Sequence, residues 1–92
     1  MENKKNLVSL IIPAYKQEKT IEENLLKIKN AFEKFRYDFE LIVVVDGKVD
    51  KTFENAKKVK SSKIKVVGYE HNHGKGYAIR YGMARSKGEV VC

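Results

Sequence analysis

The sequence predicts an α/β protein of three layers, with helices on both faces of a mostly parallel sheet. Short apolar runs of strand length alternate with longer amphipathic segments, in the order βαβαβαβ. Strands that alternate with helices form parallel sheets through right-handed crossovers. With 92 residues, no internal repeat and no Gly/Ser-rich linker, the chain corresponds to at most one small domain.

The first strand is predicted from Leu7 to Ile12, an almost continuous apolar run that Pro13 ends. A helix follows Thr20, because Thr20 and Glu23 have the spacing of a capping box. This helix is predicted to run to about Arg36. Apolar side chains at steps of three and four form its inner face: Ile21, Leu25, Ile28, Phe32 and Phe35.

A second buried strand is predicted from Glu40 to Val45 and is broken by Asp46 and Gly47. Asp50 is the predicted N-cap of a short second helix. The inner face of that helix carries the apolar residues Phe53, Ala56 and Val59.

The third strand is predicted from Ile64 to Val67, and a loop over residues 70–76 follows it. A third helix is predicted from Tyr77 to Ser86, with Gly88 as its C-terminal cap. Glu89 to Cys92 is predicted to form a fourth strand. In open parallel sheets, ligands bind beside the carboxyl ends of the strands, so the loops there are the candidate site.

The net charge of +7 suits an anionic partner. Much of it lies in one loose cluster: Lys57, Lys58, Lys60, Lys63 and Lys65. No aromatic residues are interleaved for base stacking, so a solvated face is favoured over a nucleic-acid site. A basic domain that binds nucleic acid remains the least favoured alternative.

The cysteine count and the N-terminal hydropathy favour the cytoplasm. Cys92 is the only cysteine, so an internal disulfide is impossible, as expected in a reducing compartment. The first apolar run stops at Pro13 and is too short for a signal peptide or a membrane span. Membrane association, at the cytoplasmic face, would depend on regions outside this chain.

Two phosphate-binding motifs are excluded by spacing. The dinucleotide motif G-x-G-x-x-G fails because Ile79 stands where its third glycine belongs. A Walker A loop fails because five residues separate Gly68 from Gly74, and Gly76 replaces the hydroxyl residue that binds magnesium.

A combination of motifs at the strand ends remains. These are Pro13-Ala14-Tyr15 after strand one, Asp46-Gly47 with Asp50 and Thr52 after strand two, Asn72-x-Gly74-Lys75-Gly76 before helix three, and Gly88-Glu89 before strand four. Together they resemble the start of the family 2 glycosyltransferases, inverting enzymes of the GT-A fold, which read PxYNE, VDDGSxDxT and NxGKGxAxxxG. The resemblance covers the chain from Val8 onward. It makes residues 1–92 the Rossmann-like, nucleotide-sugar-binding front part of a GT-A domain.

The resemblance implies a UDP- or GDP-sugar donor. Asp46 is expected to accept a hydrogen bond from a ring N–H of uracil or guanine, although an Asp-Gly turn alone also explains it. Lys75 is expected to approach phosphate at a helix N-terminus, with an exposed loop lysine as the plainer explanation. Tyr15 is expected either in the nucleoside pocket or packed in its loop. The full set of predicted nucleotide-binding residues is Pro13, Ala14, Tyr15, Gln17, Asp46, Gly47 and Lys75.

The sequence departs from the family pattern at several positions. Lys16 and Gln17 replace its Asn and Glu, Val45 replaces the first Asp of its pair, and Lys48 replaces its Ser. The family's D-x-D, which holds a divalent Mg or Mn ion against the leaving diphosphate, would fall beyond Cys92. No catalytic base is identified either, so we expect these residues alone to be inactive. The acceptor, whether glycan, lipid phosphate or protein, stays open, and a non-catalytic nucleotide-binding module is the main alternative.

His71 and His73 flank Asn72 and would share one side of an extended segment, as two metal ligands do. No third ligand is evident nearby, so we expect surface histidines and no metal site. Arg80 and Arg85 are expected to be solvated.

Overall fold

The computed structural model describes residues 7–34 and 38–91. A single parallel sheet of four strands has the order β3-β2-β1-β4. The elements are β1 (Leu7–Ala14), α1 (Ile21–Phe32), β2 (Asp38–Asp46), α2 (Thr52–Ala56), β3 (Ile64–Tyr69), α3 (Lys75–Met83) and β4 (Glu89–Val91). The predicted α/β class and element order are confirmed.

Strand β2 lies inside the sheet, and its side chains divide the core between the two faces. Val43 and Val45 pack with residues of β1, α1 and α2: Ala14, Ile21, Leu25 and Ala56. Ile42 and Val44 pack on the opposite face with Ile11 and Ala78 of α3. Because successive strand residues point to opposite faces, one apolar run supplies both halves of the core. The three-layer prediction is therefore confirmed.

Helix α1 begins after Thr20, as predicted, but the capping box is wrong. The Thr20 side chain makes no capping hydrogen bond. The carbonyl of Gln17 instead accepts from the amides of Thr20 and Ile21, at 3.1 and 2.9 Å. The helix ends at Phe32, earlier than predicted, and its last turn tightens into an i to i−3 bond from the Lys34 amide. Phe35 and Arg36 lie outside the described residues.

Helix α3 runs from Lys75 to Met83, two residues earlier at its start than predicted and three earlier at its end. The C-cap is Ala84, so the assignment of Gly88 as cap is wrong. Gly88 instead begins the approach to β4, where a Cβ would collide with the carbonyl oxygen of Leu7. Its amide donates to the buried Ser9 hydroxyl at 2.9 Å. Cys92, the predicted end of the fourth strand, lies outside the described residues.

Within residues 7–34 and 38–91, no helix combines the length and the apolar character needed to cross a bilayer.

Candidate functional site

A cleft of about 710 Å³ opens where β1 and β2 end and α3 begins. This volume lies within the usual range for small-molecule sites. The location is also the edge at which open parallel sheets bind ligands. The cleft is lined by Ile11, Pro13, Ala14, Tyr15, Gln17, Asp46, Asn72, Gly74, Lys75 and Ile79.

Asp46 is buried, with 4% of the residue exposed, and its carboxylate accepts four short hydrogen bonds. Oδ1 accepts from the Tyr69 hydroxyl at 2.7 Å and from the His73 amide at 2.8 Å. Oδ2 accepts from Nδ2 of Asn72 at 2.8 Å and from the Gly74 amide at 3.0 Å. An ionised carboxylate offers about four acceptor positions, so this set of donors occupies them all.

Burial and these hydrogen bonds together set the protonation states of Asp46 and Tyr69 at neutral pH. Burial alone would raise the pKa of Asp46, but hydrogen bonds from the His73 amide, the Tyr69 hydroxyl and the Gly74 amide outweigh burial and lower it. Burial, then the hydrogen bond to Asp46, raises the pKa of Tyr69. Asp46 is therefore a carboxylate and Tyr69 a neutral hydroxyl donor.

The loop that follows β1 is fastened to the loop that follows β2. The Gln17 amide donates to Oγ1 of Thr52 at 2.7 Å, and that hydroxyl donates to Oδ1 of Asp50 at 2.6 Å. The Lys51 amide donates to Oε1 of Glu18 at 2.9 Å. The fully buried Thr52 thereby holds the Tyr15–Gln17 side of the cleft in place.

Asp50 is not the N-cap of α2, as predicted, but the residue before it. Lys51 occupies the N-cap position of α2 and makes no side-chain capping bond. The Asp50 carboxylate nevertheless accepts from the Thr52 amide at 2.9 Å, as well as from its hydroxyl. The Thr52 hydroxyl is the main reason that the pKa of Asp50 is lowered.

Tyr15 lies on the cleft wall and is 40% exposed. The next residue, Lys16, has a left-handed φ of 53°, and its Nζ lies 5.3 Å from the centre of the Tyr15 ring. The Tyr15 ring is therefore partly exposed on the cleft wall, and the ammonium of Lys16 lies over one of its faces.

The N-terminus of α3 forms the opposite wall. Gly74 has a left-handed φ of 93° as the N-cap, and Lys75 is the first helical residue. Amides of the first turn of a helix have no intrahelical acceptor, and the helix dipole adds positive potential there. With the exposed ammonium of Lys75, this end suits a phosphate group.

Residues 9–92 match the sequence profile of glycosyl transferase family 2. The chain belongs to this family. Its similarity to individual members extends over nearly all of its length but over a minor part of theirs. It is 32% identical to a putative glycosyltransferase, CsbB, of Bacillus subtilis, over 96% of this chain and 27% of that protein.

Two further relatives have names that state an acceptor. The chain is 34% identical to an undecaprenyl-phosphate 4-deoxy-4-formamido-L-arabinose transferase of Pseudomonas fluorescens, over 91% of the chain and 26% of that protein. It is 33% identical to the dolichyl-phosphate beta-glucosyltransferase of Homo sapiens, over 91% of the chain and 29% of that protein. The chain thus spans less than a third of the length of these relatives.

The structure brings together every predicted nucleotide-binding residue of this family member except Gly47, which is not part of the cleft lining. Gly47 has a left-handed φ of 100°, and a Cβ there would lie 3.1 Å from the backbone nitrogen of Asn72. Glycine at this position therefore permits the close approach of the loop before α3. Whether the lining residues contact a nucleotide stays a prediction.

Two further residues organise the site but were not predicted to do so. Tyr69 lies beyond the predicted end of the third strand at Val67, and only the register that pairs it with Asp46 across β2 and β3 reveals its role. Thr52 lies two residues after Asp50, a spacing at which an aspartate often binds the later residue, and this signal could have identified it. Val45, at the position of the family's first Asp, is fully buried in the apolar core.

One position outside the cleft differs from expectation, while His71 and His73 are exposed, as expected. Arg85 is not simply solvated: its guanidinium lies 3.5 Å from the centre of the Tyr81 ring and donates to the Tyr81 carbonyl. The His73 ring lies 4.3 Å from that of Tyr77. In the part of the chain that the structure describes, no three His, Cys, Asp or Glu side chains are grouped to hold a metal. That these histidines bind no metal stays a prediction.

Proposed function

We propose that the cleft binds the nucleoside diphosphate part of a UDP- or GDP-sugar, and that the protein transfers the sugar to a lipid phosphate. Membership of glycosyl transferase family 2 supports the reaction class. One observation supports the donor site. Tyr15 and Gln17 line the same cleft as Lys75 and the N-terminus of α3.

The two walls suit different parts of the donor. The exposed Tyr15 ring offers a stacking surface for a base, and the Gln17 side-chain amide offers both a donor and an acceptor for its edge. Lys75 and the first-turn amides of α3 suit the diphosphate. A direct hydrogen bond between Asp46 and a base would require one of its four present donors to give way.

The lipid-phosphate acceptor is favoured over a free glycan or a protein by the names of two relatives, which specify undecaprenyl phosphate and dolichyl phosphate. Acceptors of this kind are membrane lipids, so the full-length protein would work at a membrane surface, which we place at the cytoplasmic face. Inversion of the anomeric centre is part of the proposal, following the family resemblance.

A divalent ion is the cofactor that the family implies, and the described residues do not fit one. Among the residues that the structure describes, Asp46 is the only one on the cleft lining with a carboxylate, and its oxygens already accept four hydrogen bonds. No step of the reaction is therefore assigned through a metal held by these residues. We expect no sugar transfer from residues 1–92 alone, because they include no assignable catalytic base.

The test is a transfer assay on the protein at its full natural length. UDP- and GDP-sugars with a radiolabelled sugar are supplied with undecaprenyl phosphate, dolichyl phosphate or a soluble glycan, in the presence of magnesium or manganese. We expect label in the lipid fraction that depends on the lipid phosphate. Nucleotide binding without transfer to any acceptor would favour a non-catalytic nucleotide-binding module instead.

A further inference from the structure

The strongest unexplained feature of the site is the full occupation of the Asp46 carboxylate. Three of its four donors come from successive residues of one loop: Asn72, His73 and Gly74. The fourth is the hydroxyl of Tyr69, its cross-strand neighbour. Nearly all of the side chain is shielded from solvent, so its main contacts are with the protein itself.

This loop leads directly into the wall that suits the diphosphate. Gly74 is the N-cap of α3, and its left-handed backbone turns the chain into the helix. Lys75 and the first-turn amides follow at once. A restraint on the amides of residues 73 and 74 therefore also sets the direction in which the phosphate-facing groups point.

We propose that Asp46 and Tyr69 are positioning residues, which hold the loop of residues 72–74 so that Lys75 and the α3 N-terminus are aligned for the diphosphate of the donor. The proposal rests on the proposed donor site. Tyr69 sets the orientation of the carboxylate, and the carboxylate in turn sets the loop. Neither residue needs to contact the ligand to influence its affinity.

A positioning role and a direct contact with the base have different signatures. Loss of a positioning residue weakens ligands that carry a diphosphate and leaves the free nucleoside nearly unaffected. Loss of a base contact weakens nucleoside and nucleotide by the same factor. Tyr69 separates the two roles in a second way. Its hydroxyl donates to Asp46 at 2.7 Å, but the residue is not part of the cleft lining. A loss of affinity on its substitution would therefore come through Asp46 and not from a lost contact with the base.

The experiment compares Asp46→Asn and Tyr69→Phe with the wild type, in the protein at its full natural length. Asparagine keeps the size of the side chain but turns an NH₂ group toward two donors. The controls are Glu70→Gln, which changes an exposed carboxyl group in the same segment, and Tyr81→Phe, which removes a hydroxyl from the same aromatic cluster. Hydrogen–deuterium exchange of residues 72–78 and calorimetric titration with UDP, GDP, uridine and guanosine are measured.

We expect faster exchange in residues 72–78 and an increase of about tenfold in the Kd of the bound nucleoside diphosphate for Asp46→Asn. Tyr69→Phe should show the same pattern, more weakly, and the nucleoside Kd should change less than twofold in both. Unchanged exchange, or equal loss of nucleoside and nucleotide affinity, would overturn the positioning role. If the wild type binds no nucleotide, the proposed function fails, while the exchange data still decide whether Asp46 restrains the loop. If Asp46→Asn does not fold, Tyr69→Phe decides alone.

Discussion

Asp46 and Tyr69 are cross-strand neighbours at the carboxyl end of the sheet, and the tyrosine hydroxyl donates a 2.7 Å hydrogen bond to the aspartate carboxylate. This bond joins β2 to β3 at their carboxyl ends, where the loops that follow both strands begin. The same carboxylate then holds the loop that begins α3. The sheet edge and the phosphate-facing helix end are thus one hydrogen-bonded unit.

The unit should make stability depend on pH in the acid range. The pKa of Asp46 is lowered in the folded chain, so the stabilisation is fully present above the unfolded pKa of about 3.9 and is lost as the pH falls through the lower folded pKa. We expect the free energy of unfolding, measured with urea, to fall more steeply below about pH 4 in the wild type than in Asp46→Asn. Glu70→Gln should keep the wild-type slope, and identical slopes for Asp46→Asn and the wild type would contradict the prediction.

Lys75 should contribute to diphosphate affinity through its charge. We expect Lys75→Ala to raise the Kd of UDP or GDP by about five- to tenfold, because charge-assisted contacts to phosphate are stronger than neutral ones. The nucleoside Kd should stay within twofold of wild type. Lys87→Ala, at an exposed lysine away from the cleft lining, is the matched control. Equal effects of the two lysine substitutions in calorimetry would show that Lys75 acts only through the net charge of the protein.

Tyr15 should contribute to base affinity. Removal of a stacked aromatic ring costs about 1–3 kcal/mol per base, so Tyr15→Ala should weaken nucleoside and nucleotide by the same factor, at least about fivefold. Leu26 of α1 is exposed to a similar extent, 47% against 40%, and is not among the lining residues. Leu26→Ala is therefore the control. A Tyr15→Ala protein with unchanged nucleoside affinity would place the base elsewhere.

The close packing of α3 on the sheet depends on Gly82. A Cβ at this position would lie 2.6 Å from Cγ2 of Ile11 and 3.0 Å from Cγ2 of Val44, both fully packed. We expect Gly82→Ala to lower the free energy of unfolding by about 1–3 kcal/mol, as measured by urea unfolding. Gly76→Ala in the same helix meets only the flexible end of Arg80 at 3.6 Å and should be neutral or stabilising. A neutral Gly82→Ala would show that the helix can shift at little cost.

The sequence predicted the elements and the place of the cleft because both follow from local patterns. The apolar run of β2 is readable as a buried strand, and the loops after β1 and β2 must meet at one sheet edge. Helix capping was predicted less well. The Thr20 side chain makes no capping bond, and the amides of Thr20 and Ile21 donate instead to the carbonyl of Gln17. Capping depends on loop geometry, which a spacing rule does not contain.

The internal contacts of the site could not be predicted, because they join residues that are distant in sequence. The sequence predicts that the Asp46 carboxylate accepts from a base, with an Asp-Gly turn as the plainer explanation, and only the fold brings the Tyr69 hydroxyl and the amides of residues 73 and 74 to it. Gly47 reads as a ligand-contacting glycine, whereas the structure gives it a close approach to Asn72. In both cases the missing information was the path of the loop between β3 and α3.

The central claim is that the cleft between Tyr15 and Lys75 binds the nucleoside diphosphate of a sugar donor. The most direct test is calorimetric titration of the protein at its full natural length with UDP and GDP, for the wild type, Tyr15→Ala, Lys75→Ala and Lys87→Ala. The account predicts saturable binding of one nucleotide per chain that is weakened by Tyr15→Ala and by Lys75→Ala and unchanged by Lys87→Ala. Wild-type affinity in both cleft variants, or no binding of either nucleotide by the wild type, would contradict it.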